Sequence, residues 1–434
     1  MTLKRTERLL IIATGIVVLL ATIGAFWWHT VNIIPALNIP TPKMPYPNAK
    51  DYFVAACNAI RDSNKIGFAI EESKRPAGTT SSGPPYDRVY SLAEKEAIIK
   101  NNAYALKMLR RGFAYEYREP PARSFSALFP HLSKYREMAR LLVLEGQTKA
   151  GKGDRGGAMD SYLDAIRLGE EIPRGGVIIS KLVGVAIESI GRYSAWKTID
   201  RLDAAQARRA ARRMEEMIAH KFPLADVLQE EKWCTLASLV EIFRRLGVSG
   251  AASILSIQPN NKLDNITNML RSLTYSKRRV LFDYERYMNR LIANARLPYG
   301  AKPPSPPVPK DPINQLIVIS SERMRFVDAR CDVQNFLLTV ALALRAYRLE
   351  HGRYPASLAE LVPSYLRKLP DDPFALKGTF GYKRIGDRYI LYSIGPDVKD
   401  DGGKAAVNLG TSSPQIRYHV DVGSKGDIVA GVNR

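Results

Sequence analysis

Cysteine is scarce in this chain of 434 residues: only Cys57, Cys234 and Cys331, far apart and odd in number. That excludes a disulfide framework and the paired spacing of a zinc knuckle. Small buried hydrophobes is the reading left for them. The five histidines, His29, His131, His220, His351 and His419, are scattered, with no His-Glu-x-x-His helix and no Gly-x-Ser-x-Gly elbow. A full phosphate-binding P-loop is also absent. Gly151, Gly153 and Gly156 satisfy a dinucleotide fingerprint, but the residues before them have helical rather than strand periodicity, so a turn between helices is expected. Acidic side chains are few, 43 against 64 basic ones, and the net charge of +21 favours anionic partners.

Long apolar runs are equally rare. One occurs, residues 9–28, twenty positions without a charge. At 1.5 Å per residue it spans about 30 Å, the thickness of a bilayer's hydrocarbon core. Lys4, Arg5 and Arg8 precede it and Trp27 with Trp28 close it, a positive-inside flank and an interfacial aromatic pair. A cleaved signal peptide would have a shorter apolar region and a small-x-small end, whereas Ile23 stands before Gly24 and Ala25. The expectation is a retained anchor in an inner (cytoplasmic) membrane, with residues 1–8 cytoplasmic and the bulk periplasmic. Residues 177–190 do not make a second span, because Lys181 and Glu188 interrupt them.

Proline divides the remainder. Pro35, Pro40, Pro42, Pro45 and Pro47 predict a semi-extended stalk over 29–50, and the cluster around Pro303, Pro304, Pro306 and Pro307 predicts a linker over 298–312. A weaker break at 78–85 reads as a surface loop. A helical domain over 51–297 and a second domain over 313–434 are therefore expected.

Residues 92–111, 131–150, 158–171, 178–198, 204–220, 225–246 and 263–295 carry apolar side chains at three- and four-residue spacing, so an all-α domain is expected. Within it, Gly146, the Gly153-Asp154 turn, Ala158, Tyr162 and Ala165 resemble one tetratricopeptide helical hairpin, which implies a protein-binding scaffold. Glu145 and Lys149 depart from that pattern, and no second copy follows at the repeat period.

The last third begins with an amphipathic helix over 322–351, with Val333, Phe336, Leu337, Val340, Leu344 and Tyr347 on one face. Gly352-Arg353-Tyr354-Pro355, Leu369-Pro370-Asp371-Asp372-Pro373, β runs at 380–385 and 388–394, and Tyr392-Ser393-Ile394-Gly395-Pro396-Asp397 follow in order. Residues 325–405 resemble the soluble domain of the major pseudopilin of type II secretion systems. The resemblance implies a long helix packed on a small antiparallel sheet, and a loop in which Asp397, Asp400 and Asp401 hold calcium, an ion suited to clustered oxygens. The family fuses this domain directly to a helix bearing an early Glu after a Gly cleavage point. Here the anchor has neither, so the domain is expected to serve docking rather than polymerisation.

Arg208, Arg209, Arg212 and Arg213 share one helix face and are candidates for gripping an anionic lipid or polymer; without interleaved aromatics, nucleic acid is not the expected partner. The adjacent pairs Glu170-Glu171, Glu215-Glu216, Glu230-Glu231 and Asp371-Asp372 diverge by about 100° on a helix, so solvated faces rather than acid–base pairs are expected. Together these features lead us to expect a non-catalytic, membrane-tethered scaffold interacting with envelope or secretion proteins, the alternative being an extracytoplasmic hydrolase whose carboxylates converge only in three dimensions.

Overall fold

The computed structural model describes residues 5–70, 90–255, 276–318, 321–407 and 417–433. The expected loop at 78–85 and the first part of the 263–295 helix lie outside them. The chain is mostly helical with one small sheet. Helix α1 (Arg5–Asn32) contains the stretch Ile12–His29, long and apolar enough to cross a membrane and entirely exposed. The proline-rich residues after it lie against the body: Ile34 and Leu37 pack on an apolar cluster, and Arg123 Nη2 donates to Pro40 O at 3.3 Å.

Two short helices that periodicity did not reveal come next, α2 (Ala49–Asn58) and α3 (Ser63–Ile70). The expected helix over 92–111 is two, α4 (Leu92–Asn101) and α5 (Ala103–Gly112). The break falls at Asn102, whose buried amide donates to Ile98 O at 2.8 Å and Arg61 O at 3.1 Å and whose carbonyl accepts from Arg61 N at 2.8 Å. A side chain so committed to backbone groups competes with the helix. Then follow α6 (His131–Gly151), α7 (Arg155–Glu171), α8 (Ile178–Trp196), α9 (Ala204–Ala219), α10 (Leu224–Leu255) and α11 (Lys277–Ala295). The glycines at 151 and 153 form the turn between α6 and α7: Gly153 has φ +87°, and Asp154 caps α7 by accepting from Gly157 N at 2.8 Å. A Cβ on Gly146 would fall 2.3 Å from the Tyr162 ring, so glycine is what lets α6 and α7 close over it.

After the short α12 (Pro312–Ile317), helix α13 (Ser321–His351) runs into the C-terminal region. There β1 (Gly381–Ile385) and β2 (Arg388–Ser393) form an antiparallel hairpin turned by Gly386, and β3 (Ile428–Val429), which the sequence did not announce, pairs antiparallel with β2. One apolar cluster joins Met159, Ile166 and Met214 of the helical region to Val333, Leu344, Phe374 and Leu391. The core thus runs continuously from one side of the second proline-rich segment to the other. That segment is itself packed: Tyr299 is buried edge-on to Phe374, with ring centroids 5.0 Å apart. Cys57, Cys234 and Cys331 are buried and free.

Candidate functional site

Helices α7 and α8 touch where Gly169 meets Gly184. A Cβ on Gly169 would lie 2.6 Å from both Gly184 O and Glu188 Cγ. This close approach sets Glu170 of α7 beside Lys181, Glu188 and Arg192 of α8, which recur on one helix face, and α13 lies across them with Asp328, Cys331, Asp332, Gln334 and Asn335. Asn335 Nδ2 donates to Glu188 Oε2 at 2.7 Å and to Glu170 Oε1 at 3.2 Å, holding the two carboxyls together. The Cys331 thiol donates to Glu188 Oε2 at 3.0 Å. Arg192 donates to Asn335 Oδ1 and Gln334 Oε1, both at 2.7 Å. Lys181 and Lys221 each place Nζ 2.8 Å from Asp328 Oδ1, and Lys221 also reaches Asp332 at 2.5 Å.

Burial and charge act together at this seam. Burial pushes the Glu170 carboxyl well above its usual range and the charge of Glu188 adds to the shift. Burial alone would lower Lys181 and Lys221, but Asp328 holds both above their ordinary values. Asp328, opposed by burial and favoured more strongly by the two ammoniums, is held below the usual carboxylate range. Asp332 is raised to about 6 by burial, with Lys221 opposing and Asp328 reinforcing.

A carboxyl pair held by one amide is the raw material of acid–base chemistry. Here, however, Glu170 is 5% and Glu188 1% exposed, and Glu170 Oε2 and Glu188 Oε1 have no hydrogen-bond partner among the described residues. The adjoining cavity, about 100 Å3, is lined by Arg192, Cys331, Gln334 and His419 rather than by either carboxyl, and is of a size for a few waters.

The expectation that the acidic pairs are solvated is corrected by burial: Glu170, Glu230 and Asp372 are all enclosed. On α7 and α10 the 100° divergence between neighbours sends Glu170 and Glu230 inward. Glu230 meets Arg123 at 3.2 Å, while Glu231 accepts from Ile178 N at 2.9 Å at the start of α8. Asp372 accepts from Phe374 N, Ser393 Oγ and Ile394 N at 2.8–3.0 Å and so ties its proline-flanked loop to β2.

The four arginines predicted to bind anions are engaged within the chain. Arg208 pairs with Glu350 and lies 4.4 Å over the Tyr365 ring. Arg209 lies 3.9 Å from Asp160. Arg212 donates to Pro363 O and Ser364 O at 2.9 and 3.0 Å, and Arg213 to Asp160 O at 3.1 Å and to Asp164. Glu145 and Lys149, the departures from the hairpin pattern, belong to the same web. Glu145 pairs with Arg110 and accepts from Ser161, which in turn accepts from Lys149 at 2.9 Å.

The loop carboxylates are likewise hydrogen-bonded within the chain. Asp400 Oδ1 accepts from Tyr392 OH at 2.9 Å and Gly402 N at 2.8 Å, Asp397 accepts from Lys399 N and Gly426 N, and the amides of Asp401 and Gly403 donate to the buried Asp427. Among the described residues no three of His, Cys, Asp and Glu form a group able to hold a metal ion. The backbone amides and Tyr392 that meet these carboxylates stitch the loop with hydrogen bonds.

A groove of about 1320 Å3 is bounded by α3, α4, α6 and the C-terminal end of α8. Its cations are Lys95, Lys134, Arg136, Arg140, Lys197 and Arg201, against one lining carboxylate, Glu137. Sequence reading missed it because these residues come from three stretches far apart in the chain. The available signal was positional: Ser133, Arg136, Arg140, Val143, Gln147 and Gly151 recur every three or four residues along one face of α6. For the seam the signal was Lys181, Glu188 and Arg192 on one face of an otherwise apolar helix.

No protein-family model, no curated protein and no solved structure matches this chain.

Proposed function

We propose that this chain is a membrane-tethered scaffold of a cell envelope that acts by binding rather than catalysis, held by α1 with its bulk on the extracytoplasmic side. One observation carries the reading: every residue of Ile12–His29 is exposed, Trp27 and Trp28 included, while the body buries most of its large apolar side chains in shared cores. A soluble surface rarely leaves so large an apolar patch uncovered. The C-terminal α+β region is the element proposed to dock on a type II secretion or pilus-like assembly; the order of long helix, hairpin and acidic loop supports this. A hydrolytic role would rest on Glu170 and Glu188, and their enclosure in the seam favours the binding role.

The test is topological. Lys107 is exposed and the native thiols are buried, so the Lys107→Cys variant carries one reachable thiol. The protein should resist alkaline carbonate extraction from membranes, and this thiol should react with an impermeant maleimide in intact cells. A carbonate-soluble chain, or labelling only after lysis, overturns the proposal.

A further inference from the structure

We infer that the groove between α4, α6 and the end of α8 receives an extended acidic polypeptide segment of a partner protein. This deepens the binding role proposed above and does not depend on the tether.

The length of the groove is set by α6. Lining residues run from Ser133 to Gly151, eighteen steps of helix, or about 27 Å. An extended peptide advancing about 3.3 Å per residue fills that length with roughly eight residues. A small anion needs no such trough, and the volume exceeds the several hundred Å3 usual for a small-molecule pocket.

The charge is one-sided and available. Arg136, Arg140 and Arg201 are exposed and make no side-chain hydrogen bond or ion pair with any other described residue. They contrast with Arg208, Arg212 and Arg213, each bonded to the body. Guanidinium groups in a partly enclosed trough suit carboxylates, which they can meet in two-pronged fashion. Leu92, Val143 and Ile190 supply apolar lining between the cations, so an occupant with both acidic and apolar side chains is matched.

Ring availability argues against sugars and bases. The Tyr193 ring carries the Lys197 ammonium at 4.3 Å, and Tyr162 is buried against Gly146. One of the three groove tyrosines is thus buried and a second has a cation over one face, which limits the stacking that binds single-stranded nucleic acid. Position argues against a lipid surface. The first residue of α8, Ile178, packs in the cluster that takes in Ile34 and Leu37 of the segment following the anchor, whereas the groove begins at Ser189, about 16 Å further along the helix.

The full chain in detergent, titrated against a fluorescein-labelled ten-residue peptide of Glu, Asp and Leu, should raise the probe's anisotropy, and added salt should weaken the binding. Arg136→Glu with Arg140→Glu should weaken binding at least tenfold. Lys197→Glu with Arg201→Glu should do the same, and all four positions are exposed, so unchanged melting curves are expected. Arg278→Glu with Arg279→Glu, charge-matched and outside the groove, should bind as the parent does. The inference is overturned by no binding, by equal binding in all variants, or by groove-dependent binding of oligothymidylate or heparin in preference to the peptide. A chain that stays in membranes yet ignores the peptide would sink the groove and leave the tether standing.

Discussion

Lys181 Nζ lies 2.8 Å from Asp328 Oδ1, so a residue of α8 that is only 2% exposed is neutralised by one on α13, across the seam that joins the helical region to the C-terminal region. The pair, with Lys221 and Asp332, makes the position of α13 depend on charge as well as on apolar packing.

Lys181→Met should therefore destabilise strongly, by roughly 3–5 kcal/mol, because it leaves buried carboxylates short of a counter-charge. Lys181→Met combined with Asp328→Leu should cost less than the first change alone. Urea denaturation of both variants measures the difference, and equal losses would show that the two side chains are not coupled.

The raised Glu170 carboxyl makes a signed contribution to stability. Its folded-state value lies above 4.5, so the folded state holds more protons than the unfolded one at pH values above 4.5. The stability it contributes is complete below that value and declines as pH rises through the folded-state value. Glu170→Gln, which keeps an acceptor for Asn335, should remove up to about 1.4 kcal/mol per pH unit of that decline. Melting midpoints of parent and variant should diverge in the variant's favour from pH 5 to pH 8; parallel curves would contradict the assignment.

Substituting Gly169 should separate α7 from α8. A methyl group there meets backbone at 2.6 Å, which cannot swing aside as a side-chain tip can. Gly169→Ala should cost about 1–3 kcal/mol, whereas Gly67→Ala, with nothing within 4 Å, should cost nothing measurable by thermal denaturation.

The thiols should be silent in the native protein. Burial pushes Cys57 up to about 12 and Cys331 well above its usual value, with Glu188 adding to the shift at Cys331. An aromatic disulfide reagent at pH 8 should titrate no thiols before denaturation and three afterwards. Rapid reaction of one thiol in the native state would place it at the surface.

The staple between α9 and the C-terminal region should be weak by contrast. The Arg208 side chain is 39% exposed, so breaking its contacts with Glu350 and Tyr365 through Arg208→Ala should cost no more than about 1 kcal/mol in a urea titration. A loss as large as that of Lys181→Met would mean that the staple is shielded from solvent.

Local regularities were legible in the chain itself. An uncharged run of bilayer length marked α1, three- and four-residue spacing marked α6 through α10 and α13, and the Gly386-Asp387 turn between alternating runs marked the β1–β2 hairpin. These features are legible because each depends on neighbours within a turn or two of the same element. Burial of the charges is different. Lys181 and Glu188 read in sequence as interruptions of an apolar stretch, and Glu170 as half of a solvated pair, yet all three meet in one buried network. Whether such a group faces water or a counter-charge depends on elements far off in the chain coming together, here through Gly169 against Gly184 and through α13 crossing α8. The same holds for the groove, whose cations come from three separate stretches and face one space only where α4, α6 and α8 enclose it.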